Sequence, residues 1–181
     1  MNLITFAPPW LITLLALLLL TAAVEDAWRM RIANLTCLAI ALLALVAMAL
    51  HGFGLPLWQN AAVFAGLLAI GTAAFATGNV GGGDVKLLAA LGLWFNLAGA
   101  MWLLAASFLA GGLLAAIMIV TRLLRARHSG GSLRRAGGKI PYGVAIVAGT
   151  AFVLTAQYRG KETLYDRLHL NPPSAAKVAA A

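Results

Sequence analysis

The sequence predicts an all-α fold, a polytopic membrane bundle of about six transmembrane helices. Three observations predict it. Hydrophobic residues make up 62% of the chain and charged ones only 10%, far from the balance of a soluble domain. The apolar residues fall into runs of spanning length separated by short polar or glycine-rich segments. Finally, six of the 13 Lys and Arg of a chain with net charge +8 sit in one loop between two such runs, which is an orientation signal and not a nucleic-acid surface. At 181 residues there is room for these spans but not for a separate soluble domain, so one domain is expected.

The first run covers about 8–24, and because no Lys or Arg precedes Arg29 it reads as a retained helix and not a cleaved signal peptide. The polar segment 25–31 leads into a second run, about 35–50. A third, about 57–77, ends at the glycine-rich stretch 78–83. The chain is then apolar over 85–124, too long for one span, which divides it into a short helix at 85–95, a turn at 96–99 and a longer helix at 100–121. The basic loop 122–139 precedes a last span at 140–157. The tail, 158–181, is polar and expected to be partly disordered. Cys37 has no second cysteine to pair with, so neither a disulfide nor a zinc site is available and small core filler is the simple reading.

Orientation follows from the basic residues. The 122–139 loop holds Arg122, Arg125, Arg127, Arg134, Arg135 and Lys139, which places it in the cytoplasm with the cell (inner) membrane as host. Counting spans backward puts the 25–31 and 78–86 segments on the same side. The N-terminus, the 51–56 loop and the turn at Asn96 then face outward, and they hold no Lys or Arg. The tail, with Arg159, Lys161, Arg167 and Lys177, faces outward against the rule.

This topology sets Asp26 at the cytoplasmic end of the first helix and Asp84 at the start of the fourth, at one depth. Two neighbouring aspartates cannot both ionise cheaply, so they share a proton and titrate as a pair. That is the chemistry of an aspartic protease: one carboxylate takes a proton from the attacking water, and the other carboxyl polarises the scissile carbonyl. Gly81, Gly82 and Gly83 beside Asp84 would let a substrate strand approach the backbone closely.

Gly81-Gly82-Gly83-Asp84-Val85-Lys86-Leu87 resembles the GxGD signature of the prepilin peptidases, or type IV leader peptidases, which are membrane aspartic proteases. Two further segments agree. Asp26 followed by Arg31-Ile32-Ala33-Asn34 resembles the family's first aspartate with its R-I-P-N segment, and Ile140-Pro141-Tyr142-Gly143 resembles its proline-aromatic-glycine segment. The resemblance covers about residues 10–157. It implies Asp26 and Asp84 as catalytic residues and Gly81, Gly82, Gly83, Lys86, Arg31, Asn34, Pro141, Tyr142 and Gly143 as the surrounding site. It implies a prepilin or pseudopilin substrate with a basic leader, cut at the cytoplasmic face, and no need of metal or nucleotide. Ala33 stands where the family usually has proline. The cysteine-tetrad domain of longer, methylating members has no counterpart in this sequence, which is similar to the short forms serving Flp or Tad pili.

Each residue also has a plainer reading. Asp84 could be a helix N-cap, and Asp26 an interfacial charge balanced by Arg29. Glu25 reads as a solvated neighbour, or as an attractor of a basic leader. Lys86 could stabilise the Asp84 anion or only snorkel to the interface. Pro141 suits any first helical turn. Gly66, Gly71, Gly111 and Gly112 suit close helix packing, and the basic loop suits contact with anionic membrane lipid. His51, His128 and His169 are scattered and form no metal set. The rival function is a small transporter or assembly subunit that relays protons through the two aspartates, but no ionisable residue lies within the predicted mid-membrane runs. A presenilin-like or signal-peptide-peptidase-like protease shares GxGD, but places the partner aspartate within a span beside a tyrosine.

Overall fold

The computed structural model describes residues 2–52, 57–78, 80–129 and 142–167. The described residues form a membrane bundle of helices: a short turn of 3-10 helix, Leu3–Thr5, then α1 (Pro9–Arg29), α2 (Asn34–His51), α3 (Trp58–Ala76), α4 (Gly82–Gly92), α5 (Leu97–Ser129) and α6 (Tyr142–Arg167). Four of them, α1, α2, α3 and α5 as far as Thr121, are long and apolar enough to cross a membrane.

Local chemistry explains the boundaries. Proline at the first position of α1 loses no hydrogen bond, since that amide has no partner in the helix. The same helix stops at Met30, whose amide still makes the helical bond to the Asp26 carbonyl at 2.9 Å but whose left-handed backbone (φ 52°) turns the chain out of the helix. α5 starts at Leu97, three residues before the predicted start, because the Asn96 side chain accepts the Gly99 amide at 2.8 Å. It runs on to Ser129, so the first part of the expected basic loop is helical. Nothing between Arg122 and Ser129 breaks a helix, and Gly130-Gly131 follow. α6 likewise continues past its apolar part, Tyr142–Gln157, to Arg167. The rest of the loop, with Arg134, Arg135 and Lys139, and the rest of the tail lie outside the described residues.

α4 is the centre of the bundle. It packs against α2, α3 and α6, and Val85, Leu87, Ala89, Ala90 and Leu91 are all buried, so it shows apolar residues on every side. Its 11 residues rise about 16 Å, roughly half the apolar thickness of a bilayer. Trp94 and Phe95, just beyond it, are fully buried, and the Trp94 indole donates to the Ile40 carbonyl within α2 at 3.2 Å.

The bundle has two distinct ends. At one, the Leu3 amide donates to the Trp94 carbonyl at 3.0 Å and the Asn96 amide to Asn2 Oδ1 at 3.0 Å. Buried Asn60, in the first turn of α3, donates to the Leu93 carbonyl at 2.9 Å, and Phe6 meets His51 with ring centroids 4.8 Å apart. The end of α1 and the starts of α2, α4 and α6 gather at the other.

Small residues let the helices close, though at only some of the positions expected. A Cβ on Gly71 would lie 2.6 Å from Val85 of α4, and one on Gly92 2.9 Å from Leu67 of α3. Gly111 is in ordinary contact with Tyr142, whereas Gly66 and Gly112 face open space. The least yielding approach is at Gly149, where a Cβ would lie 2.6 Å from the Ser107 nitrogen, a backbone atom of α5 that cannot swing aside. Gly149→Ala must therefore part α5 from α6. It is expected to cost about 1–3 kcal/mol, read as a lower thermal midpoint in detergent, while Gly112→Ala should leave the midpoint in place.

Candidate active site

Asp26 lies in the last turn of α1 and is 5% exposed. Burying a carboxyl requires hydrogen-bond partners, and one comes from α6: the Val144 amide donates to Asp26 Oδ2 at 3.2 Å. This amide is free because it belongs to the first turn of α6, where no helical carbonyl precedes it. The approach depends on glycine. A Cβ at Gly143 would sit 2.8 Å from Asp26 Oδ2 and 2.8 Å from Ile32 Cδ1.

Asp84 sits on the first turn of α4, but not at its cap. The N-cap is Gly81, with φ −73° and ψ 137°, so Asp84 is the third helical residue. Its carboxylate accepts a hydrogen bond from the Gly81 amide, which is one half of a capping box. α4 thus begins three residues before the predicted start, with two glycines in its first turn. Asp84 is half-buried. Burial first, and then the charge of Asp26, push its carboxyl up to about 6, against the smaller downward pull of the Gly81 amide. Asp84 and Asp26 are therefore electrostatically coupled.

The three sequence segments meet at Ile32. This buried side chain lies in the link between α1 and α2. A Cβ on Gly83 would come within 3.3 Å of the Ile32 Cβ and of its backbone nitrogen, and Gly143 faces its Cδ1. Ile32 therefore separates the backbone before Asp84 from the backbone at Asp26's hydrogen-bond donor. The buried Cys37 thiol also points at the Gly83 carbonyl, at 3.9 Å.

The remaining residues form a rim. Lys86 Nζ donates to Asn34 Oδ1 at 2.9 Å, so α4 is tied to the start of α2 by a side-chain bond. Arg31 is exposed, and a Cβ on Gly82 would lie 3.3 Å from the Phe75 ring of α3. Tyr142 opens α6 and is 48% exposed. Pro141 lies outside the described residues. Glu25 is half-buried, and its Oε2 accepts the Ala33 amide at 2.9 Å and the Thr36 hydroxyl at 3.0 Å. Among the described residues no group of three or more His, Cys, Asp or Glu is placed to hold a metal ion.

Sequence reasoning missed Ile32 as the common contact and Val144 as a donor, since an apolar residue in a link and a backbone amide carry no compositional signal. Glu25 had one: a glutamate just before a buried aspartate, next to a helix whose N-cap, Ala33, has no acceptor of its own.

A buried carboxyl held by an amide and a half-buried carboxyl pushed up to about 6, partly by the charge of the first, thus lie at one end of the bundle. A family model described as the type IV leader peptidase family matches residues 13–116, more than half of the 181-residue chain. The matched part contains both aspartates and the link; the segment at 140–143 lies beyond it. No curated protein and no solved structure matches the chain.

Proposed function

Because the chain belongs to the type IV leader peptidase family, we propose that it is an aspartic endopeptidase that removes the leader of a prepilin or pseudopilin, with Asp26 and Asp84 as the catalytic pair. The observation that carries this is the meeting of the segments that hold the two carboxyls: Gly83, next to Asp84, and Gly143, next to the amide that donates to Asp26, both bear on Ile32, and the charge of Asp26 helps to raise Asp84.

The two environments suggest the roles. Asp84 is the member that holds the proton, and Asp26, an acceptor from Val144, is the base. Asp26 takes a proton from water as the water oxygen bonds to the scissile carbonyl carbon, and Asp84 gives its proton to the carbonyl oxygen. The resulting gem-diol collapses as the C–N bond breaks: Asp26 passes its proton to the leaving nitrogen, and Asp84 recovers one from a hydroxyl. The pair returns to its starting state, and water is divided between the two products.

The basic residues in the last turns of α5 and in the sequence that follows support placing this end of the bundle at the cytoplasmic face of the inner membrane. Anionic lipid is the proposed partner of the same basic residues. There the site meets a leader before it crosses, at the junction between its polar part and the apolar helix of the pilin. Flp-type pilins are the proposed substrates. The test is co-expression with a prepilin, scoring leader removal by gel shift: a shifted band is expected, and an unshifted substrate with the protein present in the membrane contradicts the reading.

The pH dependence has a definite sign. A carboxyl raised to about 6 carries its proton below that pH and loses it above. If that proton serves the carbonyl oxygen, kcat/KM falls about tenfold per unit above a midpoint near pH 6. A profile flat from pH 5 to 8 would remove Asp84 from the acid role.

A further inference from the structure

The start of α2 is capped from another helix. The first amides of a helix have no partners within it, and Ala33 at the N-cap offers no side-chain acceptor. Glu25, on the last turn of α1, supplies one by accepting from the Ala33 amide and the Thr36 hydroxyl with the same oxygen. A carboxylate at this place also suits the positive end of the α2 dipole.

These bonds do more than finish a helix. They tie the link to the helical turn that carries Asp26, and the residue next to Ala33 is Ile32, on which both Gly83 and Gly143 bear. Gly83 precedes Asp84, and the residue after Gly143 donates to Asp26. A shift of the link along α1 would therefore change the spacing of the two carboxyls. Ala33 sits at φ −67°, the value that a proline ring would impose, with ψ 139°. Alanine has no ring, but it keeps the amide that proline lacks, and that amide is the atom Glu25 holds.

We infer that Glu25 is a positioning residue, its carboxylate holding the link in place of a backbone lock and so setting the Asp26–Asp84 geometry through Ile32. The inference rests on the peptidase reading. It differs from a role in leader binding, in which the charge of Glu25, and not its grip on Ala33, would matter.

The test is steady-state cleavage of a prepilin by the purified full chain in lipid vesicles. Glu25→Ala is expected to lower kcat by between about 10- and 100-fold, the effect of a misplacement near 1 Å, with KM little changed. Glu25→Gln keeps an acceptor oxygen and should retain most of the rate. Adding Ala33→Pro to Glu25→Ala restores the lock by another route and should recover at least part of the lost kcat. If Glu25→Ala does not fold, Thr36→Val removes one of the two bonds with little change in shape and should slow kcat severalfold. Wild-type kcat in Glu25→Ala, or in Thr36→Val where that variant stands in, overturns the inference, as does a loss in Glu25→Ala that Ala33→Pro leaves unrepaired. Equal rises in KM for Glu25→Ala and Glu25→Gln also overturn it, in favour of leader binding. All of these leave the peptidase reading standing, whereas a wild-type chain that cuts nothing overturns both.

Discussion

Asp26→Asn and Asp84→Asn should each reduce leader cleavage by about 10³-fold or more, and the double variant should be no slower than the worse single one. Asparagine has nearly the shape of aspartate but cannot take or give the proton that the pair shares. Members of a catalytic unit fail together, so the losses do not add. The fold should survive both changes. An asparagine oxygen at position 26 can still accept the Val144 amide, and one at position 84 can still accept the Gly81 amide, the two bonds the carboxylates make. Single-turnover rates with matched thermal midpoints check this, and additive losses would mean that the two residues act independently.

Gly143→Ala is the next largest effect expected, near 100-fold in kcat, because the displacement it forces is close to 1 Å. The new methyl would lie 2.8 Å from Asp26 Oδ2, 2.9 Å from its Cγ and 2.8 Å from Ile32 Cδ1. Asp26 is buried and bonded to the next residue, so it cannot move without giving up the Val144 amide. α6 must then retreat from α1, or the carboxyl must turn from its working position. Cleavage rates beside those of Gly112→Ala, whose methyl would meet nothing within 4 Å, provide the comparison. Similar rates for the two variants would mean that the contact of α6 with Asp26 is not needed.

The bundle was legible because a bilayer imposes its length on the sequence: the apolar runs at about 8–24, 35–50 and 57–77 correspond to α1, α2 and α3, although α1 continues to Arg29 through most of the segment expected to be a polar loop. The start of α4 was misread for a physical reason. Glycines disfavour helix by intrinsic propensity, yet Gly82 and Gly83 are helical, held by the Asp84–Gly81 bond and by the fit of Gly83 against Ile32. Asp84 is consequently a third-position residue that caps backward, and not the N-cap that sequence alone allowed. That both aspartates lie at one end could be argued by counting spans. That they are joined through Ile32 and the first turn of α6 could not, since these are contacts of backbone and apolar atoms between segments more than 50 residues apart. Lys86 shows the same limit: the sequence offered the Asp84 anion or the membrane interface for its charge, and its hydrogen bond to Asn34, on a different helix, was not foreseen.

The central claim is that Asp26 and Asp84 together cut a peptide bond. It is tested most directly by incubating a purified prepilin with the purified chain in lipid vesicles and weighing the products by mass spectrometry, beside Asp26→Asn and Asp84→Asn. The prediction is two fragments that meet at the junction of the leader and the apolar helix for the wild type, and intact substrate for both variants. Uncut substrate with the wild type, or the same two fragments with either variant, would contradict it.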